Sequence, residues 1–250
     1  MEDREVQNSP QTYARVGGVL YLIIILIGFL GEFFVRDRLI VSGDAMGTAE
    51  RIMASEFLWR VGVAGEYFLL ICAVALLLIF YRLLKPVSRD LALLAVFFNL
   101  VSITIEAVTS LYLVQTLFPL GDANYLKVLD PQQLHALAYL SIRSHGYGFG
   151  VSLIFFGCFC LVVGYLIFKS GYLPRIVGVL MQIAGLCYLT DSFALILSPS
   201  LADRLFPAIL LPALVGEASL CLLLLARGVN VSKWQARASA KPAPMPYPEL

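Results

Sequence analysis

The sequence has 250 residues, of which 60% are hydrophobic and only 14% are charged. Soluble domains carry about 25% charged residues, so this composition excludes an ordinary soluble enzyme. The 18 basic and 17 acidic residues leave a net charge of +1, which gives no basis for a nucleic-acid partner. The 16 Phe and 12 Tyr residues demand burial and exclude an intrinsically disordered chain.

Six apolar stretches have the length of a membrane-crossing helix, for which about 20 residues span a hydrocarbon core of roughly 30 Å. They cover residues 14–35, 57–81, 91–118, 145–168, 175–197 and 205–226. The alternating pattern of β-barrel strands is absent, and a helix satisfies its own backbone hydrogen bonds in lipid. The sequence therefore predicts an all-α polytopic membrane protein, a six-transmembrane-helix bundle surrounded by the lipid bilayer.

The distribution of basic residues predicts the orientation of this bundle. Six spans place both termini on one side, and that side carries eleven of the 18 basic residues. Cytoplasmic loops hold an excess of Lys and Arg in membrane proteins. We therefore expect both termini to be cytoplasmic in a multi-pass protein of the cell inner membrane.

The segments outside the spans divide the chain into three parts. Residues 1–13 form an N-terminal tail, and residues 14–228 form the transmembrane domain. Residues 229–250 end in the proline-rich sequence Lys-Pro-Ala-Pro-Met-Pro-Tyr-Pro, which predicts a disordered cytoplasmic tail.

Two of the outer loops each predict a short amphipathic helix at the membrane surface. One begins near Ser42 or Asp44 and runs through Ala49 and Ile52 to Met53. The other covers residues 130–138, where Asp130 is an N-cap, Pro131 takes the first helical position and Gln133 the third. We expect these helices to lie over the mouth of the bundle, and a gating lid is the alternative interpretation.

An internal similarity suggests a duplicated helical hairpin. Arg15-Val-Gly-Gly-Val-Leu opens the first span, and Arg175-Ile-Val-Gly-Val-Leu opens the fifth. Their partner spans carry Gly65-Glu66 and Gly216-Glu217. This pattern predicts a parallel repeat of residues 14–84 and 174–228 about an axis along the membrane normal. Shared apolar composition is the competing explanation.

Acidic residues inside the spans are the strongest functional signal. An acid at the bilayer centre costs about 2.5–3.5 kcal/mol on insertion scales, so such residues seldom face lipid. All of them lie at mid-depth or nearer the outer side, which predicts an acidic pocket open to that side. The five residues are Glu32, Glu66, Glu106, Asp191 and Glu217.

Other polar residues fall at similar depths and are candidate pocket residues. We expect Arg60 and Arg143 to balance one carboxylate each, since Arg forms bidentate pairs with carboxylates. His145 is a candidate pH-sensitive partner. The remaining candidates are Tyr147, Asn99 and Gln182.

This constellation predicts a site that binds or moves a cation, a proton or a small cationic solute. A metal-assisted intramembrane hydrolase using His145 and carboxylates is one alternative. A non-catalytic membrane partner or scaffold, with the acids as packing groups in a hydrogen-bond network, is another. The chain has only two His residues, His135 and His145, so neither a bis-histidine haem nor a multi-histidine zinc site is expected, and no cofactor or resident metal is predicted.

Several stretches together resemble an uncharacterised, mainly bacterial membrane family, domain of unknown function 4386. They are Ala14-Arg-Val-Gly-Gly-Val-Leu-Tyr-Leu, Ile40-Val-Ser-Gly-Asp-Ala, Ala54-Ser-Glu-Phe-Leu-Trp-Arg, Leu84-Lys-Pro-Val, Ser144-His-Gly-Tyr-Gly-Phe and Lys169-Ser-Gly-Tyr-Leu-Pro-Arg. The resemblance covers roughly residues 12–228. It implies a multi-pass inner-membrane protein and, by the label of the family, no established activity.

Overall fold

The computed structural model of the chain describes residues 9–239, and its secondary structure in that range is helical, without strands. The helices are α1 (Pro10–Leu30), α2 (Ala45–Ala54), α3 (Glu56–Leu84), α4 (Arg89–Thr109), α5 (Pro131–Ser170), α6 (Arg175–Leu197), α7 (Pro199–Leu205), α8 (Leu210–Ala226) and α9 (Val231–Ser239).

Two of these helices continue beyond the bounds given above. After α1 the helix widens into one π-helical segment, Gly31–Arg36, and ends with Asp37–Leu39. After α4 a short helix, Leu111–Gln115, follows a break at Ser110. A 3₁₀ helix at Asn124–Val128 lies in the connection to α5.

The described helices confirm the predicted polytopic bundle. Five of them, counting α1 with its continuation as one, are long and apolar enough to cross a membrane. The pair α7 and α8, bent by 57°, makes a sixth span if the two act together. The sixth predicted stretch is therefore a broken helix, with Pro207 and the cis Phe206–Pro207 peptide bond in the break.

The five spans and the bent pair α7–α8 contact one another in chain order and close a ring. Helix α1 packs on α3, α3 on α4, α4 on α5, α5 on α6, α6 on α8, and α8 on α1. We call the end of the ring that carries residue 9 and the connections 85–88, 171–174 and 227–230 the terminal face. The opposite end, with the connections 40–44, 116–130 and 206–209, is the distal face.

Small residues allow a close helix contact between α5 and α6. A Cβ atom built on Gly164 would lie 2.6 Å from the carbonyl oxygen of Gly178, and one built on Gly185 would lie 2.6 Å from that of Gly157. The two pairs are seven residues apart on each helix, which is two turns. In lipid, helices associate largely through such van der Waals contact, because the surrounding acyl chains are as apolar as the side chains.

The region around the fourth span differs from its prediction. The structure has one 40-residue helix, α5, where the sequence predicted a surface helix at 130–138 and a span at 145–168. The predicted capping box is present at Asp130 and Gln133. At 1.5 Å per residue α5 is about 60 Å long, roughly twice the hydrocarbon thickness, so its first turns project beyond the membrane. The predicted break is absent because the intervening residues pack against α2 and α4 instead of forming a loop.

The C-terminal segment also differs from its prediction. Of the residues 229–250 predicted to be disordered, Val231–Ser239 form α9, while residues 240–250 and the tail residues 1–8 lie outside the described range. The indole Nε1 of Trp234 donates to the carbonyl oxygen of Leu83 at 3.0 Å. The Asn230 side chain accepts from the backbone N–H of Lys233 and caps the helix. These contacts hold α9 against the terminal face.

Candidate functional site

The π-helical segment that follows α1 places two charged side chains side by side. The Nε atom of Arg36 lies 2.6 Å from Oε2 of Glu32, one turn earlier. A π-helical turn contains one extra residue and often marks a functional site. Here it directs Arg36 into the bundle while Glu32 stays near the surface.

Arg36 also reaches across to α3. Its Nη1 atom lies 3.1 Å from Oε2 of Glu66. The exposed fraction of the side chain falls from 46% for Glu32 to 21% for Arg36 and 7% for Glu66. The three charges therefore form a line from the surface to the interior.

Two further helices complete this group. The carboxyl of Glu106, on α4, lies near enough to Glu66 and Arg36 for their charges to interact. The His145 ring, on α5, is buried, and its Nδ1 atom lies 3.4 Å from the carbonyl oxygen of Thr109. We call Glu32, Arg36, Glu66, Glu106 and His145 the Arg36 cluster. At 1.5 Å per residue its three acids lie roughly 25–33 Å from the terminal face, near the distal boundary of the membrane.

A small cavity adjoins the Arg36 cluster. Its volume is about 10 Å³, and Gly31, Arg36, Gly62 and Trp59 contribute to its lining. That is the space of about one water molecule. The indole Nε1 of Trp59 is engaged elsewhere, because it donates to the carbonyl oxygen of Leu113 at 2.9 Å.

A separate polar group lies deeper in the membrane. Glu217, on α8, accepts a hydrogen bond from the Tyr21 hydroxyl at 3.1 Å on Oε2 and one from the Tyr188 hydroxyl on Oε1. Glu217 is about 14 Å along α8 from the terminal face, close to the bilayer centre. Its partners come from α1 and α6, the two neighbours of α8 in the ring.

Comparison with known proteins gives a family and one relative. Residues 16–228 match the family described as Domain of unknown function (DUF4386). The chain belongs to this family. A protein of Archaeoglobus fulgidus that carries the name "Uncharacterized protein" is 31% identical over 130 residues. The match covers 52% of this chain and 64% of that protein. Solved structures gave no significant match.

The predicted site residues of this family member thus divide into three groups. Glu32, Glu66, Glu106 and His145 come together, whereas Glu217 lies apart from them. The remaining candidates join neither group. Asp191 makes no ion pair within residues 9–239, Asn99 is buried on α4, and Gln182 lies against Gly164.

The two predicted counter-ions lie outside the Arg36 cluster. Arg60 is exposed and pairs with Glu56 on its own helix at 2.7 Å. Arg143 is exposed, with its guanidinium 5.7 Å from the centre of the Tyr147 ring. Arg36, which is not among the site residues predicted from the sequence, is the cation of the cluster. Its spacing of four residues from Glu32 is the sequence feature that could have identified it.

The cysteines and metal-ligand residues add no further site within residues 9–239. The five cysteines are all free. Among the described residues, no group of three His, Cys, Asp or Glu side chains is placed to hold a metal ion. The metal-assisted hydrolase therefore gains no support from the geometry.

Proposed function

We propose that this integral membrane protein binds a proton at the Arg36 cluster and exchanges it with the solution at the distal face. The observation that carries the proposal is the arrangement of the Glu32 and Glu66 carboxyls on the guanidinium of Arg36, with the Glu106 carboxyl nearby. One guanidinium carries one positive charge, so Arg36 cannot neutralise all of these carboxylates at once.

The charges of the cluster support the same function. Three carboxyls meet one guanidinium and one imidazole, so full ionisation with a neutral His145 leaves a net charge of −2. Two carboxylates that share a site disfavour each other's ionisation. A proton on Glu66 or Glu106 removes one of the excess charges while Arg36 keeps its pair with Glu32.

The exposure of the side chains supports access from the distal face. Glu32 is nearly half exposed and contacts Arg36, which contacts the almost fully buried Glu66. In the orientation predicted from the basic residues, this face is the outer side of the inner membrane and both termini are cytoplasmic. Such a site also suits the wider function predicted from the sequence, in which a proton, a small cation or a cationic solute is bound or moved.

Infrared difference spectroscopy of the full-length protein in lipid nanodiscs tests this function. We expect a protonated-carboxyl C=O band that changes between acidic and alkaline buffer and is lost in Glu106→Gln. Glu66→Gln should remove or shift the same band. Glu56→Gln is the matched control, since Glu56 lies on the same helix as Glu66 but is exposed and paired with Arg60.

Two results would overturn the proposal. One is that Glu66→Gln and Glu106→Gln give the same pH-difference spectrum as the parent protein. The other is that sodium or potassium at fixed pH replaces the proton and abolishes the band, which would make the occupant a metal cation.

A further inference from the structure

Glu217 has an unusual set of partners for a carboxyl within a membrane. Each of its oxygens accepts one phenol hydrogen, from Tyr21 on α1 and from Tyr188 on α6. Within residues 9–239, Glu217 forms no ion pair with Lys, Arg or His. Within the described range its side-chain hydrogen-bond partners are therefore two neutral phenols.

The titratable groups around Glu217 are few and all neutral when protonated. Besides Tyr21, the facing groups are Tyr188 and Cys187 on α6 and Cys160 on α5. A carboxylate here is stabilised by two charge-assisted hydrogen bonds, whereas the carboxylic acid form carries no charge into the lipid-embedded bundle. Gain or loss of one hydrogen interconverts the two forms without any other reactant.

An arc of aromatic rings encloses this group on the inner side of the bundle. Successive ring centres are 6.0, 5.8, 5.6 and 5.3 Å apart. The rings, in order, are Tyr21, Phe80, Phe159, Phe156 and Tyr188. The first and last of them hold Glu217, so the arc and the carboxyl close a loop. Rings at these separations are in direct contact, and the arc has no space between its rings for a solute.

The Glu217 group is distinct from the Arg36 cluster. Along α1, Tyr21 precedes Glu32 by eleven residues, which is about 16 Å. Glu217 takes its two hydrogen bonds from Tyr21 and Tyr188, neither of which belongs to the Arg36 cluster. The aromatic arc also runs through α3 and α5, which places it between α8 and the opposite helix of the ring, α4.

We infer that Glu217, Tyr21 and Tyr188 form a second proton-binding site, at mid-membrane and independent of the Arg36 cluster. A proton fits because it needs no cavity. On binding, the Glu217 carboxylate becomes a carboxylic acid, and one phenol that donated to it must accept instead. On release, both phenols donate to the carboxylate again.

Infrared difference spectra of the full-length protein in nanodiscs test this site as well. We expect a second pH-dependent carboxyl band that is lost in Glu217→Gln and retained in Glu106→Gln. Tyr21→Phe and Tyr188→Phe should each shift that band, because each removes one hydrogen bond to the carboxyl. Tyr67→Phe is the matched control, since Tyr67 donates to the carbonyl oxygen of Ala107 instead.

The outcomes separate this site from the function proposed above. Loss of a band in Glu217→Gln, with an unchanged spectrum for Glu106→Gln, supports the second site even if the first does not bind a proton. Identical pH-difference spectra for Glu217→Gln and the parent overturn it. If Glu217→Gln does not fold, the two Tyr→Phe variants decide the matter, and an unshifted spectrum in both overturns the inference.

Discussion

The Nη1 atom of Arg36 lies 3.1 Å from Oε2 of Glu66, which joins the π-helical end of the first span to the distal half of the second. The two residues are 30 positions apart in the sequence. The Glu66 side chain is only 7% exposed, and within residues 9–239 its ion-pair partner is Arg36. This ion pair of the Arg36 cluster therefore also helps to stabilise the contact between the first span and α3.

Replacement of Arg36 by Gln should destabilise the protein. Removal of one partner of a buried ion pair leaves the other charge uncompensated, which costs about 3–5 kcal/mol. Because Arg36 is partly exposed, we expect the free energy of unfolding to fall by about 3 kcal/mol, the lower end of that range. Arg60→Gln is the control, because the Arg60–Glu56 pair is exposed and such pairs contribute about 0.2–1 kcal/mol. Thermal unfolding in detergent measures both. Equal melting temperatures for the two variants would contradict the role assigned to Arg36.

Substitution of Gly164 by Ala should weaken the contact between α5 and α6. The Cβ atom of the new alanine would lie 2.6 Å from the backbone oxygen of Gly178. Because that oxygen belongs to a helix backbone, relief of the clash requires one of the two helices to move. Overpacking of this kind costs about 1–3 kcal/mol. Gly146→Ala on the same helix has open space around its Cβ and should be neutral or slightly stabilising. Chemical unfolding of both variants checks the prediction, and a Gly164→Ala protein as stable as Gly146→Ala would refute it.

Trp234 should control whether α9 stays on the terminal face. Trp234→Phe removes the hydrogen bond from Nε1 to the Leu83 carbonyl oxygen, a contribution of about 0.5–1.5 kcal/mol. We expect faster amide hydrogen exchange in Val231–Ser239, with exchange in α3 largely unchanged. Gln235→Ala, at an exposed position of the same helix, is the control and should exchange like the parent. Similar exchange in both variants would show that α9 is held by other contacts.

Tyr172 should make the stability of the protein fall in alkaline solution. Its hydroxyl donates to the Leu83 carbonyl oxygen at 2.6 Å, and burial raises the pKa of this phenol above its ordinary value of about 10. The folded state thus holds the proton more tightly than the unfolded state. The stabilising contribution is complete below about pH 10 and is lost as the pH rises through the folded-state pKa.

The slope of melting temperature against pH tests this prediction. We expect Tyr172→Phe to be less stable at neutral pH but to lose less stability above about pH 10 than the parent. Tyr125→Phe changes an exposed tyrosine and should keep the slope of the parent. Parallel slopes for Tyr172→Phe and the parent would mean that this phenol does not contribute to the alkaline loss.

The residues of the Arg36 cluster show why a sequence predicts the members of such a site better than their pairing. Acids in apolar spans stand out one by one, so Glu66, Glu106 and Glu217 were found by their chemistry alone. Which of them share a site depends on how the helices contact one another. The ring separates Glu217 from Glu66 and gives it two tyrosines, whose aromatic rings look like ordinary span residues in the sequence.

The sequence by itself determined the helical class, the polytopic membrane architecture and the capping box at Asp130, because hydropathy and capping act over a few neighbouring residues. Only the tertiary structure decided that Arg36 is the cation beside Glu66, that α5 continues unbroken into its span, and that α9 docks through Trp234. The Arg36–Glu66 pair and the docking of Trp234 are contacts between residues that are distant in the chain. The continuity of α5 depends on how its first turns pack against neighbouring helices. These features are stabilised by contacts between helix faces, and such contacts cannot be read from any short stretch of sequence.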